Sequence, residues 1–459
     1  MNIVVLNGSP KGDQSVTLQY VRYAARKYPD HSFVIFPVAQ TIRKLEKDEK
    51  AFAEILDAVE KADAVLWSFP LYFLLVCAQY KRFIELIFER RRESVFAGKY
   101  TASLSTSVHF FDHTAHNYIH AICDDLEMKY LGAYSPAMYD LMKKPERARW
   151  LGFVEQFLDS ASRRSPYARV YPPLAAQGSV YTPGPLRAGV EVSGKKILLL
   201  KDGCKPPDNV DAMVSTLAAN FRGDVEVVDL ADIDIKGGCL GCCKCGLDNI
   251  CEYDGKDGYI DFYKEKVKKA DVVVFAGAIR DRYLSARWKT FFDRSFFNTH
   301  VPTLIGKQIA FVISGPLGQI SNLRQILSAY AEFQEANLAG IVTDESGDAG
   351  QIDSLLAELA GALVRPAAQG YMPPPTFLGV GGRKVFRDEV YGMLRFVFQS
   401  DHRYYKKQGL YDFPQKDYKA RRMNALMMLL TKIPPFRRKF LKILKEQMVK
   451  PVKHVAENR

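Results

Sequence analysis

The sequence predicts an α/β protein of two tandem, doubly wound parallel-sheet domains followed by a basic helical carboxy-terminal extension. Short apolar runs alternate with amphipathic helical patterns, which is typical of a parallel sheet covered by helices on both faces. Central runs such as VVVFAG (272–277) are apolar throughout, as expected for strands that are buried on both faces. The whole pattern occurs twice along the chain, which indicates a duplicated domain.

The two copies agree element by element. The first opens with NIVVLN and the second with KKILLLK, and a glycine-containing loop and a helical pattern follow each run. Pro70 lies 11 positions before Lys81, and Ala278 lies 11 positions before Lys289. From these matches we predict a first domain at 1–175, a linker rich in Pro and Gly at 176–194, a second domain at 195–365 and an extension at 366–459.

Composition narrows the class of protein. The chain has 459 residues, of which 47% are hydrophobic and 25% are charged, as in globular domains. No signal peptide is visible at Met1, and no apolar run reaches the roughly 18 residues of a membrane-spanning helix. We therefore predict a cytoplasmic protein, in which clustered cysteines are metal ligands or redox groups rather than disulfides.

The positive charge is concentrated at one end. The net charge is +12, and residues 401–459 hold 16 Lys or Arg against 5 Asp or Glu. The rest of the chain is close to neutral, and no nucleic-acid-binding motif accompanies the charge. We therefore predict no nucleic-acid partner.

Three loops of the first copy are candidates for ligand binding. In an open α/β sheet, ligands bind beyond the carboxyl ends of the strands. The loop NGSPKGDQSVT (7–17) offers hydroxyls, backbone N–H groups and a lysine at a helix N-terminus, which suit a phosphate monoester. An ordinary turn with a serine cap is the alternative. The candidate phosphate ligands are Ser9, Lys11, Ser15 and Thr17.

The other two loops are aromatic and rich in hydroxyls. SFPLYF (68–73) and STSVHFFDH (105–113) follow the third and fourth strands. Together with the first loop they suit a flat aromatic ring with a phosphate tail. His109 and His113 either contact this ring or its substrate, or are loop histidines without such a role. The remaining candidates are Pro70, Tyr72, Ser105, Thr106 and Ser107.

The second copy contains a cysteine-rich loop. GGCLGCCKCGLDNICEYDG (237–255) holds five of the eight cysteines of the chain. The spacing C-x2-C-x2-C-x5-C, with glycines that ease the backbone, predicts a [4Fe-4S] cluster. A structural zinc ion and free or disulfide-bonded thiols are the alternatives. The predicted metal ligands are Cys239, Cys242, Cys245 and Cys251.

The other cysteines have weaker roles. Cys243 is a spare thiol of the loop or an alternative ligand. Cys77 and Cys123 lie in apolar helical patterns, so we predict that they are buried and inert. Cys204 lies near the expected cluster edge, where a functional role is a minority interpretation.

Two resemblances follow from these motifs. GSPKG…SVT followed by FPLY…YKRFIE resembles the NADPH-dependent FMN reductase family, which has the flavodoxin-like fold. The resemblance implies FMN in the first copy. Its isoalloxazine ring would lie against the second and third loops, and its phosphate at the first. The implied phosphate contacts are Ser9, Pro10, Lys11, Ser15 and Thr17, and the implied ring contacts of the second loop are Pro70, Leu71, Tyr72 and Phe73. CLGCCKCGLDNICEYDGKD and the later Lys289–Arg294 resemble the iron–sulfur flavoprotein family, which carries a compact cysteine motif at this point.

The second copy departs from the flavin pattern. KDGCKPPDN replaces the hydroxylic loop, and its prolines lack an N–H while its acids repel a phosphate. Ala278 and Arg280 stand at the Pro-x-Tyr position. We therefore predict that this copy binds FMN poorly or not at all. Because one copy keeps the flavin loops and the other has the cysteines, we expect a built-in pseudo-dimer in which FMN faces the cluster. Association into homo-oligomers stays open.

The predicted activity is oxidoreduction. Electrons would pass from NAD(P)H or a reduced protein carrier through FMN and the [4Fe-4S] cluster to a small-molecule or protein acceptor. The alternatives are a non-enzymatic electron carrier between proteins and a flavin reductase with a structural zinc site.

The extension predicts a lid and a basic amphipathic helix. Its first part is rich in Pro and aromatic residues and would fold back over the two domains. In the later stretch PPFRRKFLKILKEQMVK (434–450) one helix face carries Phe436, Phe440, Leu441, Leu444 and Met448. Such a helix contacts a membrane surface or a partner protein, or it packs on its own protein with a solvated basic face.

Overall fold

Two five-stranded parallel sheets organise the chain, one in each half. A computed structural model describes residues 1–175, 179–185, 189–203, 208–413 and 416–457. The predicted fold class of two doubly wound α/β domains with a helical carboxy-terminal region is confirmed.

The first half alternates strands and helices as predicted. Its sheet has the order β2-β1-β3-β4-β5, which is the flavodoxin-like order. In register, Asn7 of β1 pairs with Ser68 of β3, and Pro70 of β3 pairs with Thr106 of β4. The loops after β1, β3 and β4 therefore emerge side by side. The elements are β1 (Asn2–Asn7), α1 (Val16–Lys27), β2 (Ser32–Phe36), α2 (Val38–Lys47), α3 (Glu49–Lys61), β3 (Ala64–Pro70), α4 (Ala78–Glu89), β4 (Tyr100–Thr106), α5 (Asp112–Asp125), β5 (Lys129–Tyr134) and α6 (Lys144–Ser162).

The second half repeats this topology. Its large sheet has the order β12-β11-β10-β7-β9, which is the same arrangement in the second copy. The two-residue strands β6 and β8 form a small separate sheet. The elements are β6 (Val190–Glu191), β7 (Ile197–Lys201), α7 (Asn209–Ala219), β8 (Phe221–Arg222), β9 (Val225–Asp229), α8 (Cys245–Asp248), α9 (Tyr259–Phe262), β10 (Val272–Ala278), α10 (Ala286–Arg294), β11 (Gln308–Ser314), α11 (Ser321–Phe333), β12 (Asn337–Thr343) and α12 (Ala349–Gln369).

The cores explain why these segments form these elements. All but the last residue of β10 is buried, so a continuous apolar strand lies between two helical layers. Val5 and Leu66 pack against Trp150 of α6 in the first half, and Leu199 and Val274 pack against Leu359 of α12 in the second. Each such buried side chain stabilises the fold by roughly 1.5–3 kcal/mol.

Helices α4 and α10 join the two halves reciprocally. The Ala78 N–H donates to Asp293 Oδ2 over 2.7 Å, and the Ala286 N–H donates to Glu85 Oε1 over 2.7 Å. Ala286 lies 208 positions after Ala78, and Asp293 lies 208 positions after Glu85, so the two hydrogen bonds join equivalent positions of the two copies. The contact therefore has the reciprocal form of a two-fold dimer interface.

The carboxy-terminal region adds α13 (Phe377–Tyr391), α14 (Gln399–Lys407), α15 (Tyr418–Leu430) and α16 (Pro434–Glu457). Residues up to Tyr404 belong to one compact unit, and residues from Tyr405 onward form a second. Within the first unit, Phe386 of α13 contacts Phe110 of the first half and His300 of the second, with ring centroids 4.6 and 3.8 Å apart. Among the described helices, none is long and apolar enough to cross a membrane.

Candidate functional site

The three predicted loops of the first half meet at the carboxyl edge of its sheet. Thr17 Oγ1 lies 2.6 Å from Thr106 Oγ1, which joins the first loop to the third. The Gly8 N–H donates to Ser68 O over 2.7 Å, which joins the first loop to the second. The structure therefore brings together residues that lie up to about a hundred positions apart in the sequence.

The first loop has the form of an anion site. Ser15 caps the 12-residue helix α1 by accepting a hydrogen bond from the Leu18 N–H over 3.4 Å. Ser9 and Thr17 are fully buried, and the Lys11 N–H donates to Ser9 Oγ over 3.3 Å. Gly12 adopts φ +54°, a conformation that favours glycine. A helix N-terminus with hydroxyls and a lysine suits a phosphate group.

The second loop is a tight turn held by the second half. After Pro70 and the half-buried Leu71, Tyr72 and Leu75 exchange backbone hydrogen bonds of 2.8 and 3.0 Å. Phe73 and Leu74 adopt φ of 37° and 68°, which is a strained region for side chains of this size. Such strain persists only where the surroundings hold it.

Two residues of the second half provide that support. Lys289 Nζ donates to Tyr72 O over 2.9 Å, and the Phe73 ring packs against Tyr330 with centroids 5.7 Å apart. Sequence analysis matched Lys289 to Lys81 but did not place it at this loop. The loop that would contact the flavin ring is therefore shaped by both copies.

Three buried polar atoms among these loops have no hydrogen-bond partner within the described part of the chain: Asn7 Nδ2, Ser68 Oγ and Tyr72 OH. A buried unpaired polar group costs about 1–3 kcal/mol. The orphaned atoms lie on the two strand ends and the turn where the ring of FMN is expected. With the anion site beside them, the residues present fit FMN.

The third loop contains a hydrogen-bonded chain. His109 Nδ1 lies 2.9 Å from Asp112 Oδ2, and Ser135 Oγ donates to the same oxygen over 2.7 Å. Burial disfavours the Asp112 carboxylate, but the hydrogen bonds from His109 and Ser135 prevail and hold its pKa below the ordinary value. The hydrogen bond to Asp112 raises the pKa of His109. The loop thus presents a paired acid and base at the sheet edge.

The remaining predicted residues of this loop are placed as follows. Ser105 Oγ lies 2.8 Å from His116 Nε2 and 3.1 Å from Ser135 Oγ, and Ser107 Oγ accepts from the His109 N–H over 2.9 Å. His113 Nε2 lies 3.2 Å from Gln325 Nε2 of the second half. His113 therefore contacts the other copy.

The corresponding position in the second half is acidic. Asp202 accepts hydrogen bonds from Ser285 and Arg287. A Cβ added at Gly203 would lie 2.7 Å from Asp211 Oδ1 and 3.0 Å from Asp229 Oδ2. Carboxylates thus lie beside the described start of the corresponding loop, and poor FMN binding by this copy stays a prediction. Cys204 lies outside the described residues.

The cysteine-rich loop lies against the flavin loops of the first half. Gln79 Nε2 of α4 donates to Cys239 O over 3.0 Å. A Cβ added at Gly241, which has φ +64°, would lie 1.7 Å from Tyr72 OH and 2.9 Å from Lys11 Cε. The backbone of this loop therefore contacts both the first and the second loop, and Gln79 is a contact that sequence analysis missed.

The thiols are grouped but do not form a site for a single ion. Burial, and then the nearby thiolates of Cys251 and Cys242, raise the pKa of Cys245 to about 12. Burial also raises the pKa of Cys239, to which Cys245 and Cys251 add. The described residues contain no group of three or more His, Cys, Asp or Glu arranged to hold a metal ion.

This arrangement bears on the three hypotheses for the cysteine-rich loop. The finding holds equally for a structural zinc ion and for an iron–sulfur cluster, so it does not separate them. None of the seven described cysteines forms a disulfide. The donor set of four thiols on one loop fits iron–sulfur chemistry in kind, and the cluster stays a prediction. Cys77 and Cys123 are buried, as predicted.

A cleft of about 1220 Å³ opens beside these contacts. It lies between α2 and α4 of the first half and the cysteine-rich loop and α10 of the second. Pro10 and Gln79 line one side, and Gly238 and Tyr253 line the other. The cleft gives small molecules access to the boundary between the copies.

Comparisons with known proteins identify a family. The model of a family described as NADPH-dependent FMN reductase matches residues 1–138 and 196–343. No curated protein matches the chain.

Similar solved structures each cover about a third of this chain. An NADH:FMN oxidoreductase (EMOB) in its apo form is 17% identical and matches 35% of this chain and 89% of its own, with a TM-score of 0.30. FerB, a flavoenzyme NAD(P)H:(acceptor) oxidoreductase from Paracoccus denitrificans, is 17% identical and matches 35% of this chain and 97% of its own, with a TM-score of 0.30. An FMN-dependent NADH-azoreductase from Bacillus anthracis in complex with FMN is 12% identical and matches 36% of this chain and 99% of its own, with a TM-score of 0.27. Because the family model matches both copies and more than half of the chain, the chain belongs to the NADPH-dependent FMN reductase family and is an NAD(P)H-dependent FMN oxidoreductase.

Proposed function

We propose that this enzyme passes electrons from NAD(P)H through FMN in the first copy to a [4Fe-4S] cluster in the second. The proposed ligands of the cluster are Cys239, Cys242, Cys245 and Cys251. The observation that supports it is the contact of the cysteine-rich loop with the flavin loops, through Gln79 and Cys239 and through Gly241 and Tyr72. Electron transfer between two centres requires such proximity, and one chain supplies it without a second subunit.

The residues of the first copy bind and orient the flavin. Ser9, Ser15 and Thr17, with Lys11 and the N-terminus of α1, hold the phosphate. Pro70, Leu71, Tyr72 and Phe73 line the ring, and Ser105, Thr106 and Ser107 approach its other edge. When bound, FMN accepts a hydride and can release electrons singly.

The residues of the second copy close the site. Lys289 fixes the Tyr72 carbonyl, and the cysteine-rich loop excludes water from the buried Tyr72 hydroxyl. In this proposal the domains are 1–175, the linker 176–194, 195–365 and the extension 366–459. The electron acceptor is a small molecule that enters the cleft, or a protein.

Cofactor analysis of anaerobically purified protein tests the proposal. We expect about four irons and four sulfides, together with one FMN, per chain. Cys239→Ser should lose the iron and keep the flavin, since Cys239 lies outside the phosphate loop. Cys123→Ser is the control, because Cys123 is a buried thiol of the first copy remote from the loop in sequence.

Two results would contradict it. Zinc in place of iron would make the loop a structural clamp on a simple flavin reductase. Two FMN per chain would mean that the acidic loop of the second copy binds a phosphate after all.

A further inference from the structure

The unit from Tyr405 onward exposes a continuous apolar segment. Its helix α15 has no buried residue. The segment LMMLL (426–430) ends this helix, and Leu426, Met428 and Leu429 are 51%, 70% and 62% exposed. Single exposed leucines are ordinary, but a contiguous apolar surface marks an interaction site.

The next helix adds a second exposed apolar row. Leu441, Met448 and Val452 of α16 are 57%, 70% and 68% exposed, and their spacing of seven and four places them on one helix face. Phe436 and Phe440 are half-buried and stack with centroids 6.2 Å apart. The exposed row therefore continues the apolar side of α16 that begins with Phe436 and Phe440.

Cations surround both apolar surfaces. Residues 416–457 contain twelve Lys or Arg against three Asp or Glu. Arg421 and Arg422 lie one turn before Leu426, and Arg437 and Arg438 lie one turn before Leu441. The side chains of these four arginines are exposed. An occupant must therefore offer negative charge and an apolar phase at the same place.

An anionic lipid bilayer offers both. Basic amphipathic helices lie in the plane of such a surface, with apolar side chains at the acyl boundary and cations among the headgroups. We propose that α15 and α16 dock this enzyme on an anionic membrane surface. This inference does not depend on the cluster or on the acceptor.

Vesicle flotation of the full-length, cofactor-loaded protein tests the proposal. The probes are vesicles of phosphatidylcholine alone and vesicles that also contain phosphatidylglycerol. We expect binding to the anionic vesicles only, weakening as salt is added because the charges are screened. Arg437→Gln/Arg438→Gln/Lys439→Gln should lower the partition coefficient roughly 100-fold, because each cation near the membrane surface raises that coefficient about fivefold.

Matched variants separate this site from general effects of charge and hydrophobicity. Lys44→Gln/Lys47→Gln/Lys61→Gln removes three exposed cations from the first half and should leave binding unchanged. Leu426→Glu/Met428→Glu should weaken binding roughly tenfold or more, since it removes the apolar burial. Phe377 of α13 is 85% exposed and lies outside the two helices, so Phe377→Glu should leave vesicle binding unchanged.

Defined outcomes would overturn the proposal. Binding to neutral vesicles with no effect of salt would exclude an anionic surface. Absence of vesicle binding, with retention of the protein on immobilised polyglutamate, would favour an acidic protein partner instead. FMN content and the far-UV spectrum, measured on every variant, show whether each protein is folded.

Discussion

Tyr72 and Tyr80 lie eight residues apart with buried hydroxyls in opposite surroundings. Tyr80 OH donates to Leu6 O over 2.7 Å, whereas Tyr72 OH has no partner among the described residues. In FMN-free protein, Tyr80→Phe should lower the free energy of unfolding by about 1 kcal/mol, since it removes one buried hydrogen bond. Tyr72→Phe should lower it by nothing measurable. Urea unfolding of both variants checks this, and an equal loss would show that Tyr72 OH has a partner in solution.

The buried His116 makes the stability of the folded chain depend on pH. Its ring lies between Ser103 Oγ and Ser105 Oγ at 2.7 and 2.8 Å. Burial lowers its pKa from 6.5 to about 4, so the unfolded chain binds the proton more tightly than the folded one. The free energy of unfolding therefore keeps its full value above pH 6.5, where the His116 ring is neutral in both states. It falls by about 3 kcal/mol as the pH drops from 6.5 toward 4.

Urea midpoints measured from pH 7 to pH 4 test this. His116→Gln should show a smaller loss of stability over that window than the unchanged protein, because it carries no titrating ring. Parallel pH profiles for the two proteins would mean that other groups account for the acid sensitivity.

At the scale of elements, the contact between the cysteine-rich loop and the Pro-x-Tyr turn can be tested with two glycines. Gly241 has φ +64° and Gly255 has φ +69°, so alanine meets similar backbone strain of roughly 1–2 kcal/mol at each. A Cβ at Gly255 meets no atom within 4 Å, whereas one at Gly241 collides with Tyr72 OH. Gly241→Ala should therefore also push the loop off the turn and weaken FMN binding, while Gly255→Ala should not.

Flavin fluorescence titration measures this difference directly. A comparable FMN dissociation constant for the two variants would show that the contact of the loop with Tyr72 contributes nothing to the flavin site. A loss in Gly255→Ala alone would place the sensitive contact elsewhere in the loop.

Strands and helices with a clear apolar periodicity could be predicted from the sequence. The contacts that these elements make with distant parts of the chain could not. Apolar runs located the strands of the two large sheets, while β6 and β8 have two residues each and offer no period. Lys289 and Asp293, four positions apart, have the spacing of an ordinary surface pair on a helix. Packing buries both and carries Lys289 to a carbonyl 217 positions away. The cysteine spacing likewise indicated ligands but not their contact with Gln79.

At the scale of the whole molecule, the interface between the copies is symmetric in structure but not in function. Lys81 lies 2.8 Å from Glu85 Oε1 and 2.9 Å from Asp281 Oδ2. Its counterpart Lys289 pairs with Asp293, the counterpart of Glu85, and also bonds the Tyr72 carbonyl. Both lysines are fully buried. A duplicated interface has thus kept its ion pairs, while one copy supports the flavin turn of the other.

This asymmetry gives a prediction with an internal control. Lys81→Met and Lys289→Met should each lower the free energy of unfolding by roughly 3–5 kcal/mol, because each leaves a buried carboxylate without its cation. Only Lys289→Met removes a hydrogen bond from the turn of the second loop, the one that Tyr72 O accepts. It alone should therefore raise the FMN dissociation constant. The expected increase is about tenfold, which corresponds to one hydrogen bond of about 1.4 kcal/mol. Flavin titration and urea unfolding of both variants separate the two effects. If the two variants lose FMN affinity equally, the effect of Lys289 is general destabilisation, and the flavin site does not depend on the second copy through this residue.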